Sequence, residues 1–192
     1  MGSMQVLEWS IAYPEFMEKV AAYVASPKMT SFDLLWMNTN LEMIEELKEQ
    51  GTSEREIKKI SSMMTTILSR TPSYIVEHVG VENFQEYLSS FDTEPSKNYT
   101  LNDYIIHLKA MMMHDITKDF GNSMEVAAKA IKSDMFIIVS ETDMILNPTE
   151  AIRLADILGC RKMILNNNCG HMAPSCELER VKAEIDEFLS GS

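Results

Sequence analysis

Two apolar stretches near the C-terminus decide the fold of this chain: Phe136-Ile-Ile-Val-Ser-Glu-Thr-Asp143 and Lys162-Met-Ile-Leu165. Met135–Ser140, which includes the start of the first stretch, has the composition of a fully apolar strand, and Lys162–Leu165 has that of another strand. The segment between them, Glu150–Leu158, has the apolar spacing of an amphipathic helix and is followed by Gly159. We therefore expect a strand, a helix and a second strand that lies parallel to the first.

A polar side chain follows each of these two strands. Asp143 comes three residues after the first strand, and His171 follows the second in the loop Asn166-Asn-Asn-Cys-Gly-His171. Catalytic groups of open α/β sheets lie beyond the carboxyl ends of the strands, and an acid that orients an imidazole is what a general base requires. The pattern predicts that Asp143 and His171 form two thirds of a catalytic triad. It leaves open that Asp143 makes a turn or caps a helix, that His171 is a solvated loop residue, or that Glu141 is the acid.

Other candidate groups have weaker patterns. Cys169 stands two residues from His171, and positions so close in one loop rarely direct both side chains at one reacting atom. Ser3 follows a glycine but lacks the further glycine of a nucleophile elbow. A zinc site would lack C-x₂-C pairing, and its ligands would be Cys160, Cys169, His171 and Cys176. Two more histidines are expected to be core or surface residues, namely His107 and His114.

The rest of the chain contains two kinds of sequence pattern. Helical spacing over Met4–Ala12 and a short apolar run at Val20–Ala25 predict a helix and a third parallel strand. Residues 30–132 are instead helical, and the turn from Ser53 to Glu56 resembles a capping box at the start of one helix. We predict a sheet domain formed by residues 1–28 and 133–192, with residues 29–132 inserted as a helical unit.

The composition of the chain argues against two classes of binding partner. A formal net charge of −12 over 192 residues would repel phosphate backbones and anionic lipid, so we expect no nucleic-acid or membrane partner. No apolar run reaches the roughly 20 residues that span a bilayer. The three cysteines are odd in number, which argues against a disulfide scaffold and favours a reducing, cytoplasmic location.

The N-terminal stretch Met1-Gly-Ser-Met-Gln-Val-Leu-Glu-Trp9 is similar to the segment after the nucleophile in the homoserine O-acetyltransferase-like branch of the α/β-hydrolase superfamily. The elbow of that branch reads G-G-S-M-G-G-M-Q-x-L-E-W. Asp143-Met-Ile-Leu-Asn-Pro148 resembles the acid loop of the superfamily, and Gly170-His171 resembles its histidine loop. The resemblance thus covers both ends of the chain, and the helical middle lies where that branch carries its lid.

The resemblance implies a partial α/β-hydrolase fold of about three parallel strands with flanking helices and a large helical lid. It implies Asp143 and His171 as catalytic residues, with the nucleophilic serine immediately before Met1, and it implies that the backbone N–H of Met1 is an oxyanion-hole donor. No cofactor and no metal are implied; the partner is a small acyl substrate, such as acetyl-CoA or another acyl donor. The acyl group would pass to a hydroxyl or to water.

Several departures from the pattern bear on function. The serine is absent, Met172-Ala-Pro174 replaces the usual D-x-F after the histidine, and no arginine stands near Asn38-Thr39-Asn40 to meet a substrate carboxylate. Because the serine is absent, the chain alone should be inactive.

We expect an open sheet edge that favours a homodimer or association with a missing N-terminal half. A misplaced start, a fragment and a split protein all fit the sequence. The alternative function is a non-catalytic helical interaction module that binds through its methionine-rich lid.

Overall fold

The computed structural model describes residues 1–92 and 98–191. The stretch Asp92-Thr-Glu-Pro-Ser-Lys97 has the composition of a break between helices, and most of it lies outside the described residues. Three strands form one sheet: β1 (Lys19–Tyr23), β2 (Asp134–Ser140) and β3 (Arg161–Leu165). Their order is β1-β2-β3, and both pairs are parallel. The predicted set of three parallel strands is confirmed.

Ten α-helices surround or extend from this sheet in the described residues. They are α1 (Gly2–Ala12), α2 (Ser31–Glu49), α3 (Glu54–Ser69), α4 (Pro72–His78), α5 (Phe84–Ser89), α6 (Leu101–Met112), α7 (Met124–Ala128), α8 (Thr149–Leu158), α9 (Ala173–Cys176) and α10 (Leu178–Ser190). The apolar spacing after the histidine loop predicts one last helix over Cys176–Leu189, and this prediction is wrong at its start, because the backbone leaves the helical conformation at Glu177 between α9 and α10.

The central strand β2 is buried on both faces, as its apolar sequence predicts. Side chains alternate along a strand, so Met135, Ile137 and Val139 pack into one apolar cluster with α1 and α8. Phe136 and Ile138 pack into another cluster on the opposite face, with β3 and α10. The sheet is therefore covered by helices on both sides, which is the layered arrangement of α/β proteins.

The helices α2, α3 and α6 form a third apolar cluster outside the sheet. Its buried members include Trp36 and Ile44 of α2, Ile57 of α3 and Leu108 of α6. Ile145 and Leu146, which follow Asp143, belong to the same cluster. The helical unit thus packs directly on the loop that carries the candidate acid.

The division of the chain at residues 29–132 stays a prediction. One observation bears on the later boundary: Ile116, Met124, Ala128 and Ile131 pack with β1 and β2 in the sheet core. The stretch after α6 is therefore packed with the sheet rather than with α2 and α3.

Capping boxes fix the starts of three helices. Ser53 and Glu56 form the box that the sequence predicts for α3. Thr30 with Asp33 starts α2 in the same way, and Thr100 with Asp103 starts α6. In each box the side chain of the capping residue accepts a hydrogen bond from the third helical residue, and that residue's carboxylate accepts one in return.

The structure pairs two of the three cysteines, although their odd number argues against a disulfide scaffold. Cys169 and Cys176 form a disulfide, and Cys160 is the free thiol. An odd number of cysteines argues against a fully paired framework, but it does not prevent two of them from pairing across a short loop. Every helix within residues 1–92 and 98–191 is too short or too polar to span a bilayer.

Candidate active site

Asp143 is held rigidly in the loop that follows β2. Its side chain is buried, and Oδ1 accepts hydrogen bonds from the backbone N–H groups of Ile145 at 2.8 Å and Leu146 at 3.0 Å. These two bonds occupy one carboxylate oxygen and fix the orientation of the group. The second oxygen, Oδ2, is left to face the histidine loop.

The structure brings His171 against this free oxygen. Nδ1 of His171 lies 2.8 Å from Oδ2 of Asp143, and the two residues are 28 positions apart in the chain. A carboxylate only accepts hydrogen bonds, so Nδ1 must carry the proton and donate it. Nε2 is then the basic nitrogen, and the imidazole is about a quarter exposed. The catalytic roles of both residues stay predictions, but their juxtaposition has the geometry that a general base needs.

Helix α2 holds the acid loop from the other side. Nε1 of Trp36 donates a hydrogen bond of 3.0 Å to the carbonyl of Ile145. The fully buried Asp33 accepts a bond of 2.8 Å from the backbone N–H of Asn147. Asp143 therefore lies in a loop whose backbone is bonded both to its own carboxylate and to the helical unit.

The histidine loop is fixed by the end of α3 and the start of α4. Thr71 donates a hydrogen bond to the carbonyl of Asn168, and Thr142 of the acid loop donates one of 3.2 Å to the carbonyl of Asn167. Gly170 has φ +63°, and a Cβ at this position would lie 2.7 Å from the carbonyl oxygen of Ser69. Only glycine fits both this backbone conformation and this close approach.

His171 opens into a cleft of about 540 Å³ between the sheet and the helical unit. Met1, the residue expected to donate to an oxyanion, lines the same cleft. Burial there lowers the pKa of the Met1 α-amino group. The remaining lining residues are Gly2, Ser3, Val6, Ala21, Tyr23, Val24, Trp36, Thr65, Tyr99, Tyr104, His107, Leu108, Met111, Ile145 and Leu146. The cleft is mostly apolar, with a few hydroxyl and imidazole groups, as in many small-molecule sites.

The surroundings of the other candidate catalytic groups differ from those of Asp143 and His171. Glu141 is exposed at the end of β2, whereas Asp143 makes the contact with His171. The disulfide with Cys176 leaves Cys169 without a nucleophilic thiol and removes two of the four ligands of the considered zinc site. Ser3 lines the cleft, but its hydroxyl donates a hydrogen bond of 2.6 Å to the carbonyl of Tyr23.

His107 and His114, the other two histidines considered above, lie in different surroundings. His107 is exposed on α6, lines the cleft and has Nδ1 at 2.8 Å from the hydroxyl of Tyr99. His114 is buried after α6, with Nε2 2.9 Å from the carbonyl oxygen of Ser26 and Nδ1 3.1 Å from Glu8. Burial is the main reason that the pKa of His114 is lowered.

Sequence reasoning missed Asp33, Trp36, Tyr99 and Tyr104. Thr30-Ser-Phe-Asp33 is an S/T-x-x-D pattern before an apolar helix, so the cap itself could have been found. The contact of Asp33 with Asn147 spans 114 positions and has no local signal. Tyr99 and Tyr104 likewise reach the cleft only through the packing of α6 beside α3.

The arrangement of the strands and helices identifies the fold class. The described residues form part of an α/β-hydrolase fold, and solved structures of that class superpose on nearly the whole chain. The acetyl esterase MekB gives a TM-score of 0.81 at 15% identity over 99% of this chain and 60% of its own. Homoserine O-acetyltransferase from Bacillus anthracis gives 0.77 at 16% identity over 98% and 57%. At sequence identities this low, structural similarity indicates a shared fold only.

The sequence is similar to one group of these proteins in particular, the homoserine O-acyltransferases. A homoserine O-acetyltransferase of Carboxydothermus hydrogenoformans is 24% identical over 98% of this chain and 57% of its own length. A homoserine O-succinyltransferase of Acinetobacter baumannii is 23% identical over 82% and 47%. No protein-family model matches the chain. The resemblance drawn from the residues is thereby confirmed, and the chain spans about half the length of the curated relatives it matches.

Proposed function

We propose that this chain supplies the acid and the histidine of a serine-type acyl-transfer site. The observation that carries the proposal is the 2.8 Å contact between Nδ1 of His171 and Oδ2 of Asp143 at the mouth of the cleft. Support comes from the similarity to homoserine O-acyltransferases, which covers up to 98% of the chain. The reaction class is transfer of an acyl group from an ester or a thioester, such as acetyl-CoA, to a hydroxyl or to water.

Each residue has a defined role in this proposal. Nε2 of His171 takes the proton of a serine hydroxyl as the oxygen attacks the acyl carbon, and the same proton then passes to the leaving group. Asp143 holds the imidazole in the tautomer with the proton on Nδ1 and stabilises the imidazolium that forms. The backbone N–H of Met1 is proposed to donate to the developing oxyanion. The serine comes from outside these 192 residues.

The 192 residues by themselves are proposed to be inactive. In a well-studied protease, removal of the nucleophilic serine lowers turnover by a factor on the order of 10⁶. The test is to assay the chain with p-nitrophenyl acetate and with acetyl-CoA, beside His171→Ala and Ser3→Ala. Rapid turnover by the chain alone that is lost in both variants would contradict an external serine and would assign the nucleophile to Ser3.

A direct test supplies the serine. An extended protein that carries an in-frame Gly-Gly-Ser and its preceding strands before Met1 should turn over an acyl ester, and His171→Ala in that protein should abolish most of the rate. Asp143→Asn should lower the rate strongly as well, because the imidazole would be held in the wrong tautomer. An extended protein whose rate is unaffected by His171→Ala would refute the proposed function.

We also propose that the edge of the sheet at β1 is covered by a further part of the protein or by a second copy. β1 pairs only with β2 among the described residues, so its other edge presents unpaired backbone groups. Tyr23 of β1 is half exposed, and three aromatic residues of the segment before β1 are at least half exposed, namely Trp9, Tyr13 and Phe16. The measurement is the molecular mass in solution of the 192-residue chain, with and without a chain that carries the N-terminal half.

A cytoplasmic location, expected from the cysteine count, stays a prediction, and the Cys169–Cys176 disulfide argues against it.

One observation favours the second candidate function, a non-catalytic interaction module. An apolar groove of about 490 Å³ lies between α2 and α3, and its walls include the exposed side chains of Leu35 and Ile67 together with Met63 and Met64. Exposed apolar surface of this kind suits a protein partner. This function predicts that Asp143→Asn and His171→Ala leave partner binding unchanged, whereas Leu35→Glu abolishes it.

A further inference from the structure

The cleft at His171 has a neighbouring cavity in the helical unit. This second cavity of about 420 Å³ lies between α3 and α6, and Thr65, Tyr99 and Tyr104 line both spaces. Nδ2 of Asn40 donates a hydrogen bond of 2.6 Å to the hydroxyl of Tyr104, which also lies 3.3 Å from Oγ1 of Thr65. The hydroxyl of Tyr104 is therefore held in place beside residues that the two spaces share, and the two spaces are adjacent.

The second cavity, which we call the α3–α6 cavity, has a mostly apolar surface, and the residues that line it carry hydroxyl groups or aromatic rings, apart from one lysine. Residues three and four apart share one face of a helix, so four hydroxyl-bearing residues of α3 face α6 together. They are Ser61, Ser62, Thr65 and Thr66, and the remaining lining residues are Lys58, Tyr99 and Tyr104. Hydroxyls both donate and accept, and aromatic faces pack on the C–H groups of a ligand.

Ser61 gives a second, independent indication of a ligand. Its side chain is 3% exposed and lines the α3–α6 cavity, yet Oγ has no hydrogen-bond partner among the described residues. A buried hydroxyl without a partner costs about 1–3 kcal/mol. The neighbouring Thr65 does not relieve this cost, because its hydroxyl donates to the carbonyl of Ser61 instead.

The α3–α6 cavity favours an uncharged ligand. Among the described residues that line it, Lys58 is the one with a charged side chain, whereas Met1, with its α-amino group, lines the cleft at His171. Nζ of Lys58 already donates a hydrogen bond of 2.6 Å to the carbonyl of Tyr99 and lies 3.9 Å from the carboxylate of Glu54. A ligand carboxylate inside the α3–α6 cavity would be removed from water with only this already bonded lysine to meet it, which is costly.

We propose that the α3–α6 cavity binds the uncharged, hydroxyl-bearing remainder of a substrate whose acyl ester lies at His171. The inference rests on the proposed function for the position of the ester, and it names the substrate class: a neutral, polyhydroxylated acyl ester. Ser61 determines specificity because its hydroxyl can both donate to and accept from the hydroxyls of the ligand, whereas Thr65, which donates to the carbonyl of Ser61, can only accept from them. An ester with a free carboxylate and ammonium group is disfavoured by the same site.

Binding to the 192-residue chain tests this inference without any need for turnover. The probe is methyl 6-O-acetylglucopyranoside, compared with hexyl acetate, which has no hydroxyl, and with O-acetylhomoserine, which is zwitterionic. NMR titration should give the acetylglucoside the lowest dissociation constant, with shifts at both His171 and Thr65. Ser61→Ala and Thr65→Val should each weaken its binding about 3- to 10-fold, the effect of one hydrogen bond, and should leave hexyl acetate unchanged. Thr39→Val on α2, outside both spaces, is the matched control.

The outcomes separate this inference from the proposed function. Ser61→Ala should fold as well as the original chain, because it removes a buried hydroxyl that has no partner in the described part of the chain. Equal binding of the acetylglucoside by the original chain, Ser61→Ala and Thr65→Val would overturn the inference, as would tighter binding of O-acetylhomoserine. If an extended protein shows turnover that does not depend on His171 while binding still depends on Ser61, the proposed function fails and the cavity assignment stands.

Discussion

Oδ1 of Asp33, in the first turn of α2, accepts a hydrogen bond of 2.8 Å from the backbone N–H of Asn147, in the loop that carries Asp143. Oδ2 of the same carboxylate accepts bonds of 2.8 Å from the backbone N–H and the hydroxyl of Thr30. A fully buried carboxylate is costly unless hydrogen bonds satisfy it, and here both oxygens are occupied. The helical unit and the candidate catalytic acid are therefore joined through one buried charge.

Replacing Asp33 should destabilise the protein more than loss of a helix cap does. Asp33→Ala removes the capping box and leaves the N–H of Asn147 without its acceptor, so we expect the free energy of unfolding to fall by about 2–4 kcal/mol. Urea unfolding followed by circular dichroism measures the change.

Asp103→Ala is the matched control for this substitution. Asp103 forms the same capping box with Thr100 at the start of α6 but has no bond to the acid loop. Its loss should be clearly smaller than that of Asp33→Ala. Equal losses for the two variants would show that the contact with Asn147 contributes nothing.

Gly170 should not tolerate a side chain. At φ +63° an alanine Cβ would be strained and would also lie 2.7 Å from the carbonyl oxygen of Ser69, so Gly170→Ala should cost roughly 2–4 kcal/mol of unfolding free energy. Gly159→Ala isolates the backbone part of this cost, since Gly159 has φ +61° and open space around it. If both variants lose the same stability, the close approach of α3 to the histidine loop does not constrain the protein.

The sequence predicts the strands and the acid–histidine pair because both follow from local pattern. Buried parallel strands are continuous apolar runs, and the residues after them must meet at one edge of the sheet, which brings Asp143 to His171 across 28 positions. The contacts that fix the two loops are different. Thr71 reaches Asn168 across 97 positions and Asp33 reaches Asn147 across 114, so they depend on how α2, α3 and α4 pack on the sheet. No spacing in the sequence encodes that packing.

The carboxylate of Asp143 should set the tautomer of His171. In Asp143→Asn, the N–H groups of Ile145 and Leu146 still require an acceptor, so the amide oxygen should stay on them and the amide nitrogen should face Nδ1 of His171. An amide N–H can only donate, so the imidazole proton should move from Nδ1 to Nε2. Long-range ¹H–¹⁵N correlation spectra of the 192-residue chain distinguish the two tautomers. Asp156→Asn, on the exposed end of α8, is the control, and an Asp143→Asn protein that keeps its proton on Nδ1 would argue that the carboxylate does not orient the ring.

His114 should make the stability of the protein depend on pH. Burial lowers its pKa in the folded state, although Glu8 at 3.1 Å acts in the opposite direction. As pH falls, the unfolded chain takes up a proton near its ordinary pKa of about 6.5 before the folded protein does. The unfolded state then binds more protons, so the free energy of unfolding should decrease as pH falls below that value, by at most about 1.4 kcal/mol per pH unit for one proton.

The measurement for this effect is urea unfolding at pH 7.5 and at pH 5.5, for the original chain and for His114→Gln. The variant lacks the titrating imidazole, so its stability should change less between the two pH values than that of the original chain. His78→Gln, at an exposed position on α4, controls for the removal of an imidazole from the surface. A His114→Gln protein that loses as much stability at pH 5.5 as the original chain would mean that burial of His114 is not the source of the dependence. A smaller loss in the original chain would mean that Glu8 outweighs burial and that the pKa of His114 is raised.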